Sequence, residues 1–354
     1  MISVAVAHGD THYDVLVGNL DLALDRIAEL GDGRPVPLVT DARILALHGL
    51  KLAPVTHLPP ILVPEGEAAK SWSALAAIVD ALAERNIPRG TPIVAFGGGS
   101  IGDLTGLAAS LFKRGCPVIH IPTTLLAQAD SAIGGKTAID AAGQKNVVGT
   151  FHHPALVVAD PSLLDTLDQR QLRSGYAEIV KYGLIDDPDF FVWCEAHGAA
   201  LVAGDRDARL HAITHCVRAK ARIVAADPLD PGDQRALLNL GHSFAHAIEN
   251  LAGIGRLLHG EAVAIGLVLA FRLSVRLGHC PEIDALRLAT HLRSLGLPTG
   301  LDQIGLARSG SALVDQMRAD KKNNARGLIL VLSHGIGRAT VAPVPVEALT
   351  SLFA

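Results

Sequence analysis

Ile93-Val94-Ala95-Phe96-Gly97-Gly98-Gly99-Ser100-Ile101-Gly102-Asp103 is the stretch that decides the fold class. Ile93 to Phe96 is a short apolar run that reads as a buried strand, and the apolar periodicity from Ile101 to Phe112 reads as a helix. Between them lie four small residues, Gly97 to Ser100. Strand, glycine turn and helix together form an arrangement in which bare backbone N–H groups and a helix N-terminus can meet an anionic phosphate. Glycine suits the turn because a Cβ would hold the backbone away from a ligand, and because the turn can require positive φ. A glycine-rich turn of this kind also occurs as plain structure.

The residues downstream strengthen the functional alternative. Ile121-Pro122-Thr123-Thr124 reads as a second strand end carrying two hydroxyls, and Asp130, Lys136, Lys145 and Asn146 follow among glycines and other small residues. Polar groups crowded on such backbone are costly unless they face a ligand or water. They point to a nucleotide site at the carboxyl ends of parallel strands, the usual place in open α/β sheets.

Upstream, Tyr13 to Gly18 and Pro37 to Asp41 read as strands, and Leu20 to Leu30 and Ser71 to Glu84 as helices. Asp41, at a strand end, suits either a ribose hydroxyl or a helix cap. Glu65, Glu67 and Lys70 suit a solvated first helical turn. Downstream of Pro161 the alternation gives way to helical patterns at 174–186, 188–203, 206–226, 236–252, 259–277 and 282–295, with one late hairpin over 328–332 and 338–341. The expected organisation is an α/β domain over residues 1–160, with a Rossmann-like parallel sheet, and a mainly helical domain over 161–354.

The bulk properties set limits. At 354 residues, 49% hydrophobic and 19% charged, the chain has the composition of a globular protein too long for one core. A net charge of −4 without a basic stripe argues against nucleic acid as a partner. Cys116, Cys194, Cys216 and Cys280 show no paired spacing and read as reduced thiols. The longest apolar run, Ala262 to Phe271, is too short for a bilayer, and no signal peptide is apparent, so a cytoplasmic protein without a membrane partner is expected.

The helical half carries a second constellation. Glu178 lies in an apolar helical pattern, His242 and His246 are one helical turn apart, and His259 precedes another apolar helix. A lone histidine on such a helix is usually a hydrogen-bonded core residue. Three histidines and a glutamate on helices that must pack together fit a divalent cation, and two His with one carboxylate is a catalytic zinc pattern. Arg235 and Asn239 sit two turns and one turn ahead of this group if one helix spans 236–252 and its flank; an acidic substrate would suit them, as would a surface position and a cap.

These residues stand in longer motifs: Gly97-Gly98-Gly99-Ser100-Ile101-Gly102-Asp103, Pro122-Thr123-Thr124-Leu125-Leu126-Ala127-Gln128, Gly134-Gly135-Lys136-Thr137, Ser174-Gly175-Tyr176-Ala177-Glu178-Ile179-Val180-Lys181-Tyr182-Gly183, Leu237-Leu238-Asn239-Leu240-Gly241-His242 and His259-Gly260-Glu261-Ala262-Val263. With them the chain resembles, over nearly its whole length, the dehydroquinate synthase family of sugar-phosphate cyclases. The resemblance implies NAD held by Asp41, Glu65, Glu67, Lys70, Gly99, Ser100, Ile101, Gly102, Asp103, Thr123, Thr124, Lys136, Lys145, Leu163, Leu164, Asp165 and Thr166. It implies a divalent metal, zinc or else cobalt, on Glu178, His242 and His259. Catalytic roles fall to Lys136, Lys181, Arg235, Asn239 and His246. Substrate contacts fall to Asp130, Asn146, Lys220, one of Lys321 and Lys322 (Lys322 preferred), and Arg114 from the neighbouring subunit of a homodimer. The implied chemistry is a phosphate-eliminating cyclisation of a seven-carbon keto acid phosphate, in which NAD is reduced and reoxidised within one turnover.

Two segments depart from the family pattern. Asp140-Ala141-Ala142 stands where relatives carry Asn-His-Pro, and Asp227-Pro228-Leu229-Asp230-Pro231 where they carry an Asp-Glu-x-Glu run. Both bear on the substrate, so aminodehydroquinate synthases and other secondary-metabolic cyclases remain alternatives. So does a metal-dependent oxidoreductase like glycerol dehydrogenase, although Lys136, Lys145, Lys181 and Arg235 exceed the cationic groups a neutral polyol needs.

Overall fold

The computed structural model describes residues 1–227, 233–253, 255–320 and 328–353. In chain order its elements are β1 (Ile2–His8), β2 (Thr11–Val17), α1 (Leu24–Leu30), β3 (Leu38–Thr40), α2 (Ala42–His48), β4 (Ile61–Leu62), α3 (Trp72–Glu84), β5 (Ile93–Gly97), α4 (Gly99–Leu111), β6 (Val118–Pro122), β7 (Lys136–Ala141), β8 (Gln144–Phe151) and β9 (Leu156–Ala159). There follow α5 (Gln169–Ile185), α6 (Pro188–Ala203), α7 (Arg206–Ala226), α8 (Asp233–Ala236), α9 (His242–Ala252), α10 (His259–Arg276), α11 (Glu282–Ser294), α12 (Gly310–Asp320), β10 (Leu328–Ser333), β11 (Ala339–Val344) and α13 (Val346–Ser351). Two compact units result: Met1–Asp168 with Arg209–Leu229, and Gln169–Ala208 with Asp230–Ala354.

In the first unit a seven-stranded sheet runs β1-β2-β9-β6-β5-β3-β4. Only β1 and β2 pair antiparallel, and every other pairing in the sheet is parallel. The run Ile93–Gly97 is buried throughout because both faces of β5 are covered. Ile93 and Ala95 join a core with Leu75 and Ile78 of α3 and Leu104 and Leu107 of α4. Val94 and Phe96 point to the opposite core with Ile27 of α1, Leu38 and Ile119. A strand reading as a continuous apolar run is thereby explained: alternate residues fill two different cores.

The segment after Thr124 differs from its appearance in sequence. It is a π turn over Ala127–Ser131 followed by the antiparallel pair β7–β8, irregular between Ile139 and Ala141, elements that the run of glycines and small residues did not announce. Lacking strong alternation of apolar and polar side chains, these strands gave no period-2 signal.

In the second unit α10 is buried along most of its length and packs against α5, α9, α11 and β10. The late hairpin forms as β10–β11. The helix expected over 236–252 is interrupted: α8 passes into a 3₁₀ turn, Leu237–Asn239, and α9 begins only at His242, after Gly241 at φ 80°. Arg235 and His242 therefore do not share one helix. The periodicity continued through the break because turn residues too were apolar. Helix α12 was not apparent in sequence. The four cysteines are buried and unbridged. Among the described residues no helix is long and apolar enough to cross a membrane.

Candidate functional site

Two clusters of chemistry-bearing residues emerge, one in each unit. In the second, Glu178 lies midway along α5, His242 opens α9 and His259 opens α10. One ligand atom from each of the three lies within 4.8 Å of the others. Both histidine Nε2 atoms are 3.4 Å from Glu178 Oε1. Glu178 is 1% exposed, and neither of its carboxylate oxygens accepts a hydrogen bond of good angle among the described residues. Lys181, one turn along the helix and equally buried, brings Nζ to 2.5 Å from Oε2, an ion pair whose angle is poor for a hydrogen bond. A buried carboxylate with lone pairs to spare, facing two imidazoles, fits a divalent cation.

The electrostatics agree. Burial pushes the Glu178 carboxyl up, but Lys181 and His242 outweigh it and hold the group well below the usual carboxylate range. Burial works to lower the His259 imidazole, yet the Glu178 and Glu249 carboxylates beside it raise it to about 10. The outer ring is also built: His242 Nδ1 is 3.2 Å from the Leu240 carbonyl, and His259 Nδ1 is 3.3 Å from Glu249 Oε2. Partners of this kind fix the tautomer and the ring orientation of metal-binding histidines. Glu249 was missed in the sequence, although His242, His246 and Glu249 follow the i, i+4, i+7 spacing of one helical face.

Around the trio, the His246 ring is 5.8 Å from that of His242 and its residue is exposed. Arg235 is 3% exposed, which removes the surface alternative, whereas Asn239 is exposed in its 3₁₀ turn. Lys321 and Lys322 lie outside the described residues, as does most of the Asp227–Pro231 departure.

In the first unit the glycine turn lines a small cavity with Asp103, His120, Ser131, Gly135 and Lys136. Helix α4 has Gly98 at its N-cap and no side-chain cap bond. A Cβ on Gly99 would stand 2.8 Å from Ser131 Oγ, so the turn packs as closely as its composition suggested. Beside it lies a charged network. Lys70 Nζ is 2.6 Å from Asp103 and also bonds the Asn146 side-chain oxygen. Ser100 donates to Glu67 at 2.9 Å, and Lys145 stands 3.5 Å from the same carboxylate. Burial raises the Asp103 carboxyl against the pull of Lys70. Burial would lower the Lys70 ammonium, but Asp103 and Glu67 prevail and raise it.

Other predicted positions have local roles as well. One Asp41 oxygen caps α2 by accepting from the Ile44 N–H at 2.7 Å. Thr123 is buried, while the Thr124 hydroxyl accepts from the Ala127 N–H at 3.3 Å. Asp165 pairs with Arg209 at 2.7 Å, Thr166 Oγ1 lies 2.8 Å from His48 Nε2, and Leu163 and Leu164 are buried; Glu65 is exposed. Lys220 donates to both the carbonyl and the carboxylate of Asp130. Asp140, in the departing segment, accepts from the Asn146 N–H at 2.8 Å. Arg114 is exposed in a tight turn with φ 65°.

The comparisons cover both halves of the chain. Residues 60–174 match the family model of the 3-dehydroquinate synthase N-terminal domain, and residues 175–323 that of the C-terminal domain. A 3-dehydroquinate synthase of Zymomonas mobilis subsp. mobilis is 53% identical over 79% of this chain and 74% of its own. One from Rhodospirillum rubrum is 49% identical over 95% and 90%. The structure of ValA, a 2-epi-5-epi-valiolone synthase from Streptomyces hygroscopicus subsp. jinggangensis with NAD+ and Zn2+ bound, superposes with a TM-score of 0.85 at 31% identity, covering 98% of this chain and 97% of that one. Two matched domains, near-complete relatives and a cluster of two histidines around a buried carboxylate agree: the chain belongs to the 3-dehydroquinate synthase family.

Proposed function

We propose that the protein is a 3-dehydroquinate synthase, a carbon–oxygen lyase that cyclises 3-deoxy-D-arabino-heptulosonate 7-phosphate to 3-dehydroquinate and releases phosphate without net redox. The observation that carries this is the cluster of His242 and His259 around the buried Glu178, whose carboxylate oxygens fit a cation, in a chain about half identical to 3-dehydroquinate synthases. ValA, a 2-epi-5-epi-valiolone synthase, is less similar, at 31% identity.

Glu178, His242 and His259 would hold the cation, zinc or else cobalt. The glycine turn with Asp103, Ser100, Ile101 and Gly102, the Glu67–Lys70–Lys145 network, Asp41, Glu65, Thr123, Thr124 and the Leu163–Thr166 turn would hold NAD. When bound, the cation supplies Lewis acidity toward substrate hydroxyls, and NAD supplies a hydride acceptor that each turnover regenerates. The chain's own residues handle charge and protons. Lys136, Lys181, Lys220 and Arg235 neutralise a substrate that is anionic at both ends, Arg235 through a forked guanidinium suited to a carboxylate. Asp130, Asn146 and Asn239 orient hydroxyls. The exposed His246 imidazole, beside the trio and open to water, carries a proton to and from the substrate. Arg114 reaches the substrate phosphate from the neighbouring subunit of a homodimer, one of Lys321 and Lys322, Lys322 preferred, is a further substrate contact, and the enzyme works in the cytoplasm.

The test is phosphate release from seven-carbon and six-carbon sugar phosphates with NAD in catalytic quantity. Phosphate released from the heptulosonate substrate without NADH accumulation is expected. Stoichiometric NADH would point to a dehydrogenase instead, and turnover of a different sugar phosphate alone to another cyclase.

A further inference from the structure

The first hairpin, β1–β2, contributes no residue to either cluster, yet it holds the turn that leads into Lys136. Tyr13 is 3% exposed, and its hydroxyl accepts a hydrogen bond from the Gly134 N–H at 3.0 Å, across 121 residues of sequence. Gly134 and Gly135 have φ of 97° and 71°, two successive left-handed residues that no side chain would hold by preference. Beyond them, Gly135 and Lys136 line the cavity beneath the glycine turn.

A second brace comes from the same hairpin. A Cβ on Gly135 would stand 2.9 Å from His153 Nδ1, so that imidazole lies against the turn. The His153 ring stacks on His8 of β1 with centroids 4.0 Å apart and planes within 10°. Tyr13 stands 6.0 Å from His153 and 5.8 Å from His8. The His152 N–H donates to the Gly135 carbonyl at 2.7 Å and closes the arrangement. The turn is thus fixed by a hydroxyl, a ring stack and a backbone bond, and the first two depend on residues of the hairpin.

We propose that Tyr13 is a positioning residue for Lys136. By holding the Gly134–Gly135 turn, the Tyr13–His8–His153 brace sets where the Lys136 ammonium stands in the site. This rests on the role given to Lys136 above. Without the phenol oxygen this bond from the Gly134 N–H is lost, and the turn can relax by rotating its two glycines. A displacement near 1 Å at a catalytic group costs up to about a hundredfold in rate.

The experiment is a double-mutant cycle on the full-length enzyme loaded with metal and NAD, read as phosphate release. Tyr13→Phe is expected to lower kcat about tenfold, with the thermal midpoint still above assay temperature. In a Lys136→Ala background the same change is expected to cost less than about twofold, because the group it positions is gone. Should Tyr13→Phe fail to fold, His153→Leu removes the other brace and must show the same dependence on Lys136. Equal losses from either variant in both backgrounds would mean general destabilisation and overturn the proposal alone, as would unchanged kcat in Tyr13→Phe. Wild-type activity in Lys136→Ala would sink the role of Lys136, and the proposal with it.

Discussion

At the scale of single residues, the metal cluster gives the sharpest expectations. His242→Ala leaves Glu178 and His259 without a third ligand, since His242 Nδ1 is turned to the Leu240 carbonyl and its Nε2 toward Glu178. Elemental analysis should find the metal lost and turnover below about 1% of wild type. Glu249→Gln keeps the shape beside His259 but removes the charge that orients the ring; equilibrium dialysis should show metal affinity about 10- to 100-fold weaker, with the fold intact. Arg235 is buried, so a lysine there has to supply one point charge where a planar fork stood. Arg235→Lys should retain metal and NAD and lose at least about tenfold in kcat/KM, on the order of 1.4 kcal/mol. Steady-state kinetics close to wild type would remove Arg235 from the substrate site.

Among elements, the ligand-bearing helices meet through glycines placed next to the ligands themselves. Gly260 follows His259 at the start of α10; a Cβ there would lie 1.8 Å from the Ser174 carbonyl of α5, and the Gly260 N–H donates to Ser174 Oγ at 3.0 Å. Gly241 precedes His242, with φ 80° and a would-be Cβ 2.7 Å from the Leu267 N of α10. Arg170, on α5, grips Glu261 of α10 at 2.6 and 2.8 Å, and Glu261 accepts from the Leu258 N–H at 3.0 Å, steadying the entry to His259. Gly260→Ala should therefore force α10 off α5, destabilising the protein by about 3 kcal/mol and weakening metal binding even though all three ligands remain. Thermal denaturation together with metal content tests this; an unchanged midpoint would show that the helices can part without cost.

Over the whole molecule, binding of a cation to the folded cluster adds to folding stability. At a free metal concentration about a hundred times Kd the gain is about 2.7 kcal/mol. Chelation should lower the midpoint of the unfolding transition that includes Gln169–Ala208 and Asp230–Ala354 by on the order of 5 °C, and re-addition of zinc should restore it. A transition indifferent to chelator would mean that the cluster holds no metal in solution.

The sequence by itself determined the local features: the strand, glycine turn and helix of 93–112, the helical texture beyond Pro161, and which residue types carry chemistry. Those depend on periodicity and on backbone properties of glycine, both local in the chain. The resemblance supplied which two of the three histidines join Glu178, a choice that spacing left open. Only the tertiary structure decided how the helices stop and meet. The break at Gly241 is invisible in a continuous apolar pattern, because what selects it is the close approach of α10 at Leu267. The same holds for the β7–β8 pair, the role of Glu249 and the reach of Tyr13 to Gly134. Each depends on a partner distant in sequence, and packing against such a partner leaves no period in the chain that makes it.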